Sequence, residues 1–293
     1  MVQGEFGHDV IRYLCDDYDA VPASARRVLW IHSLPVGLDV YQFPLLLNEV
    51  QDTLITNGRG SQSMPPAEYV FYSFFYFNRQ TTRQLRQKAE REWSPYNIQP
   101  LQGSTLCIFG YGDIGQCVAR LALAFGMKVI ALRRRKNKEN ENENNHNEVQ
   151  MVSPQSTEEL HTVLGSADYI VNILPHTAET DRYFDKEKFS AMKSSALYVN
   201  IGRGKTQVED DLCECLREGK LRGASLDVYE EEPLPSASPL WSLPDDLILL
   251  NPHAAAWHEK QLYNLCQRFV FLCEEWKRGA AMEGHSVNRE LWY

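Results

Sequence analysis

The sequence predicts an α/β chain built around a doubly wound parallel sheet, and three observations point there. From residue 104 onward, short continuous apolar runs alternate with amphipathic segments. One run, Cys107-Ile108-Phe109, leads straight into the glycine-rich turn Gly110-Tyr111-Gly112-Asp113-Ile114-Gly115, and a stretch at helical spacing follows over residues 116–125. Three later runs end in Arg203, in the acidic segment from Asp227 to Glu232, and in His253, so polar groups gather where strands leave the sheet. Strands that are apolar along their whole length need cover on both faces, which a parallel sheet with helices above and below provides.

Taken in order, the region to about residue 74 is irregular apart from a strand at 28–33. The turn-prone Leu34-Pro35-Val36-Gly37-Leu38-Asp39 follows it. Residues 67–77 are apolar nearly all round, and their length predicts a buried helix between two domains rather than an aromatic binding stripe. A strand at 105–109, a helix at 113–125 and a strand at 128–132 come next. Residues 136–148 contain no apolar side chain and have nothing to bury against the entropy of ordering. They read as a disordered insertion. Strands at 169–174, 196–201, 224–228 and 247–250, a helix at 208–218 and a last helix at 259–278 complete the pattern.

Composition narrows the function classes. A chain of 293 residues, 43% hydrophobic and 24% charged, has the balance of a globular protein of two domains. The net charge of −9 argues against a nucleic-acid surface, and the basic cluster Arg133-Arg134-Arg135-Lys136 is too local to reverse it. No apolar run approaches the roughly 20 residues of a membrane span. Met1-Val2-Gln3-Gly4-Glu5 lacks the basic-then-apolar pattern of a secretory leader. The seven cysteines have no framework spacing and read as reduced thiols, so the expected compartment is cytoplasmic. No metal site is expected.

The motifs carry the chemistry. In a strand–turn–helix setting, Gly110 allows the tight turn, Gly112 lets a backbone approach a pyrophosphate, and Gly115 permits close helix–strand packing. The N–H groups and dipole at the helix start favour the dinucleotide's negative charge. Arg203, in Asn200-Ile201-Gly202-Arg203-Gly204, can hold a carboxylate bidentately and polarise a neighbouring carbonyl. His253, after Asn251-Pro252, can transfer a proton, and Glu232 can orient its ring and raise its pKa. Singly, each residue is as well explained by an ion pair, a solvated carboxylate or a loop histidine. Three complementary groups at three strand ends of one dinucleotide domain outweigh those readings.

These motifs, in this order, resemble the D-isomer-specific 2-hydroxyacid dehydrogenases over about residues 28 to 293. The segment 232–241 and the C-terminal 287–293 look most like the glyoxylate/hydroxypyruvate reductase branch. The resemblance implies a Rossmann-type nucleotide domain, residues 75–255. It also implies a smaller, discontinuous, flavodoxin-like substrate domain of residues 1–74 and 256–293, shortened at its N-terminus. Only about 29 residues precede Trp30, where the family carries a further strand–helix–strand unit. Carried over, Arg203, Glu232 and His253 are catalytic, and Val36 and Gly37 hold the substrate carboxylate with Arg203. Pro35 lacks the N–H beside them. Gly110, Gly112, Asp113, Ile114, Gly115, Leu174, Pro175, Ile201 and Asp227 contact the cofactor, Asp227 at the nicotinamide carboxamide. The implied reaction is reduction of a small 2-keto acid, such as glyoxylate or hydroxypyruvate, to the D-2-hydroxy acid by a homodimer. A different class stays open: a dinucleotide-binding, corepressor-like or catalytically impaired protein that acts through partner binding.

NAD-preferring sites place an acid at the end of the second strand. Here the strand ends in Arg133 and Arg134, whose guanidinium groups pair with a 2′-phosphate, so NADP(H) is favoured over NAD(H). Replacing both by Ser is expected to raise KM for NADPH far more than for NADH, each lost contact costing about 1.5–3 kcal/mol. Equal KM values for the two cofactors in the parent would refute this assignment.

Overall fold

The computed structural model describes residues 30–38, 53–132 and 148–288. Arg133, Arg134 and residues 136–147 of the expected insertion therefore lie outside the described residues, as do 1–29 of the expected substrate domain. The chain forms two compact units, residues 1–62 with 258–293, and residues 63–257.

In the smaller unit, β1 (Trp30–Ser33) pairs in parallel with β2 (Leu54–Asn57), Trp30 opposite Leu54. The Trp30 indole N–H donates to Thr56 Oγ1 at 2.8 Å. Its ring packs at 5.5 Å on Trp276 and on Phe269 of the C-terminal helix, Gln261–Lys277.

The larger unit opens with α1 (Met64–Asn78) and α2 (Thr81–Glu90), followed by β3 (Thr105–Phe109), α3 (Asp113–Ala124), β4 (Lys128–Leu132) and β5 (Val149–Val152). Then come α4 (Thr157–Ser166), β6 (Tyr169–Asn172), α5 (Lys186–Ala191), β7 (Leu197–Asn200), α6 (Glu209–Arg217), β8 (Gly223–Leu226) and β9 (Ile248–Leu250). Among the described residues these strands form one seven-stranded parallel sheet in the order β5-β4-β3-β6-β7-β8-β9. The order reverses between β3 and β6, and in doubly wound sheets ligands bind at such a switch point, outside the carboxyl ends of the strands.

Strand alternation explains why the sheet needs two covers. Leu106 and Ile108 of β3 join Val171, Val199 and the α1 residues Phe71 and Phe74 in one core, with Val118 and Ala122 of α3. Cys107 and Phe109 join Ile170, Tyr198 and Leu226 in a second core, with Leu164 of α4, Phe189 of α5 and Leu212 of α6. A strand buried on both faces cannot show polar alternation, which is why the sequence reads as continuous apolar runs.

Two sequence expectations need correction. The domain boundary expected at 74/75 cuts through α1, whereas the compact units divide at 62/63. Helix α1 lies within the larger unit because Ala67, Val70, Phe71 and Phe74 bury into a core shared with α3 and the sheet. Strand β5 was not expected either. It sits at the sheet edge with Gln150 and Met151 exposed, so it has neither alternation nor a full apolar run. Helix α4 does carry a local signal: Ser156 Oγ accepts from Glu159 N–H at 3.3 Å, and Glu159 Oε2 accepts from Gln155 N–H at 2.7 Å. Among the described residues no helix is long and apolar enough to cross a membrane.

Candidate active site

β3 ends at Phe109, and the chain turns through Gly110 at φ +100°. A Cβ there would lie 2.8 Å from the Ile173 carbonyl oxygen, so conformation and close approach both demand glycine. Gly112 differs. Its φ of −90° and ψ of −158° suit any residue, and among the described residues a Cβ built on it meets no atom within 4 Å beyond its own chain neighbours. The protein's own packing gives no reason for glycine at this exposed position. Gly112 caps α3, no side chain caps the helix, and Asp113 and Ile114 form its first turn. The first-turn N–H groups and the helix dipole at such an end suit an anion, and a Cβ on Gly112 would fill that cradle. A dinucleotide pyrophosphate therefore fits the residues present. Buried Gly115 lies where a Cβ would come within 2.3 Å of the Gly110 carbonyl oxygen, which brings α3 close to β3.

The neighbouring strand ends are held by buried amides. Asn172 and Asn200 pair in register on β6 and β7 and are fully buried. Asn172 Oδ1 accepts from Leu174 N–H at 3.0 Å, and Asn200 Oδ1 accepts from Gly202 N–H at 2.9 Å. Asn172 Nδ2 donates to Tyr198 Oη and to Thr206 Oγ1, while Asn200 Nδ2 donates to Gln207 Oε1 and to the Arg203 carbonyl. Thr206 Oγ1 donates to that same carbonyl at 2.6 Å. Leu174, Pro175 and Ile201 leave the sheet at this edge, and Ile201 N–H donates to the Asn172 carbonyl at 3.1 Å. The network fixes the backbone from which half-buried Arg203 projects; its Nη1 donates to the Gly202 carbonyl at 2.8 Å.

Glu232 and His253 meet directly. Glu232 Oε2 lies 2.7 Å from His253 Nδ1, and Glu232 Oε1 accepts from Tyr229 N–H at 3.0 Å. The bond to Glu232 raises the His253 pKa above its ordinary value, against burial and the Arg203 charge. For Glu232, burial pushes upward, but the bonds from His253 and Tyr229 N–H and the Arg203 charge hold the carboxyl below its usual range. The three predicted catalytic residues thus act on one another.

His253 sits at φ +50°, a left-handed conformation that costs a non-glycine residue about 1–2 kcal/mol. Asp227 holds it there. Its Oδ1 accepts from Asn251 Nδ2 at 2.5 Å, Ala254 N–H at 2.8 Å and Ala255 N–H at 3.1 Å, on both sides of the histidine. Burial raises the Asp227 pKa despite these donors. The Tyr229 hydroxyl adds a link, 2.9 Å from the Asn251 carbonyl.

Val36 and Gly37 lie in the smaller unit after β1, where the Val36 carbonyl accepts from Asn57 Nδ2 at 2.7 Å. Sequence reasoning missed Asn172, Thr206 and Gln207 as supports of Arg203. An asparagine closing an apolar run, as in Val171-Asn172, was the available signal, since Asn bonds the backbone two residues on.

Residues 71–255 match the family model described as D-isomer specific 2-hydroxyacid dehydrogenase, NAD binding domain. Glyoxylate/hydroxypyruvate reductase A of Serratia proteamaculans is 33% identical over 185 residues, 63% of this chain and 55% of that protein. Glyoxylate/hydroxypyruvate reductase B of Escherichia fergusonii is 32% identical over 269 residues, 85% of this chain and 68% of that protein. The chain thus spans just over half of one relative and about two thirds of the other. Among solved structures, an NADPH-dependent glyoxylate/hydroxypyruvate reductase of Sinorhizobium meliloti in complex with NADP and sulfate superposes with a TM-score of 0.76 at 27% identity. That match covers 90% of this chain and 80% of the other.

The Gly112 cradle makes a direct prediction. Gly112→Ala is expected to leave the stability of the ligand-free protein within about 0.5 kcal/mol. NADPH affinity, followed by nucleotide fluorescence, should weaken by at least about tenfold, or 1.4 kcal/mol. Parental affinity in the variant would place the pyrophosphate elsewhere.

Proposed function

The chain belongs to the D-isomer specific 2-hydroxyacid dehydrogenase family, and from that premise we propose that it reduces a small 2-keto acid to the D-2-hydroxy acid with NAD(P)H. The observation that carries this reading is the 2.7 Å pairing of His253 Nδ1 with Glu232 Oε2, within the electrostatic reach of Arg203. Glyoxylate and hydroxypyruvate are the substrates of choice, supported by the names of the two reductase relatives. NADP(H) is the preferred cofactor, supported by Arg133 and Arg134 after β4 and by the NADP complex of the Sinorhizobium neighbour.

When bound, the dinucleotide supplies a hydride for the carbonyl carbon. The chain's own residues do the rest. Arg203 binds the substrate carboxylate with its planar fork and draws electron density toward the carbonyl oxygen. His253, with Nδ1 held by Glu232, presents Nε2 as the proton donor to the oxygen that becomes the hydroxyl. Glu232 keeps the ring oriented and favours its charged form. Asp227, through the loop it anchors, keeps His253 in its strained position.

The sign of the pH dependence follows. Reduction needs protonated His253, so activity falls as pH rises through a pKa that Glu232 has raised. Glu232→Gln removes that charge, and the alkaline limb of kcat should move to lower pH. His253→Ala should lower kcat by roughly 10²–10⁴-fold with little change in NADPH affinity. The test is NADPH oxidation by the purified protein with glyoxylate and hydroxypyruvate across pH 5–9. A parent that consumes no NADPH with any 2-keto acid would overturn the assignment, and a Glu232→Gln profile overlaying the parent's would remove Glu232 from its role.

A further inference from the structure

Beside the Glu232–His253 pair lies a second pair of acids that the proposed reaction leaves unused. Glu209 opens α6, and Glu230 stands two residues before Glu232. Each accepts the other's backbone N–H: Glu209 N–H donates to Glu230 Oε1, and Glu230 N–H to Glu209 Oε1, both at 2.6 Å. Bonds this short to a charged acceptor belong to the stronger class. The same peptide is gripped from another side by Gly204, the neighbour of Arg203. A Cβ on Gly204 would fall 1.8 Å from the Tyr229 carbonyl carbon and 2.5 Å from Glu230 N, so the two backbones are in contact. The turn 229–232, which carries Glu232, is thereby fastened to the segment 203–209, which begins at Arg203.

Three acidic groups, Glu230, Asp210 and Glu232, act on Glu209. Its other titratable neighbours, Tyr229 and Cys213, have pKa values raised by burial and are neutral near pH 7. Burial and the three acids push Glu209 up to about 7.

We propose that Glu209 is a positioning residue for the proton transfer: clasped to Glu230, it sets the turn that presents Glu232 to His253, and its negative charge helps keep the proton on His253. The proposal rests on His253 as the proton donor. As pH rises through about 7, Glu209 loses its proton, and the charge it gains opposes the deprotonation of His253, whose pKa Glu232 already raises. The added charge delays that step and extends reduction to higher pH.

The His253 titration tests this without turnover. In the full-length protein the ring ¹³Cε1 signal, identified by its loss in His253→Ala, is followed against pH for the parent, Glu209→Gln and Glu209→Ala. Glu209→Gln keeps an oxygen for the Glu230 N–H and removes the charge. Its His253 midpoint should fall by roughly half a pH unit, with the alkaline limb of glyoxylate reduction moving by the same amount and KM for glyoxylate unchanged. Glu209→Ala loses the clasp as well and should lower the midpoint further; should it fail to fold, the Gln variant decides alone. A parental midpoint in Glu209→Gln would overturn the proposal. A midpoint that shifts in a protein reducing no 2-keto acid would leave the positioning role standing and remove the reductase reading instead.

Discussion

A parallel sheet ends all its strands at one edge, and past the first residue beyond each strand the loop N–H groups have no partner on the adjacent strand. The candidate site depends on how this chain satisfies them. Asn172, Asn200 and Asp227, all buried at consecutive strand ends, bend their side-chain oxygens back onto loop N–H groups. An unpaired buried N–H costs about as much as a lost hydrogen bond, so these acceptors are structural necessities before they are functional ones. Because Asn172 and Asn200 fix the first residues of their own loops and Asp227 fixes the loop after β9, Arg203 and His253 inherit their positions from the sheet.

The loops are also tied to one another across strands. Asp227, at the end of β8, binds the loop after β9, and the Glu209–Glu230 clasp joins the segment after β7 to the turn after β8. A guanidinium, a carboxylate and an imidazole held this way form a mixed-charge site in which each group alters its neighbours' protonation. Arg203 and His253 lower the Glu232 pKa, and Glu232 and Asp227 raise that of His253. Asp227 is the costly member, a carboxylate that is 4% exposed, and its three donors offset that burial.

Much of this was legible in the sequence because the signals were local. The strands at 105–109 and 128–132 form at the expected residues, since apolar runs bounded by turn residues leave little freedom. The strand expected to reach 174 stops at Asn172, and the one expected to reach 228 stops at Leu226, because Asn172 and Asp227 turn from ladder to loop. Helix α1 was legible as a buried helix but not as a member of the larger unit, because a segment apolar on all sides does not say which neighbour it covers. Arg203, Glu232 and His253, singled out by their motifs, act electrostatically on one another. The Glu209–Glu230 clasp was not legible, because it joins residues 21 apart with no local signature.

The claim that these residues serve hydride reduction of a 2-keto acid is tested most directly by following the hydride itself. The purified protein would be incubated with NADPH carrying deuterium at both C4 positions of the nicotinamide and with hydroxypyruvate, and the product analysed by mass spectrometry and chiral chromatography. One deuterium at C2 of D-glycerate is the predicted result. Unlabelled product, L-glycerate, or NADPH left unoxidised would contradict it.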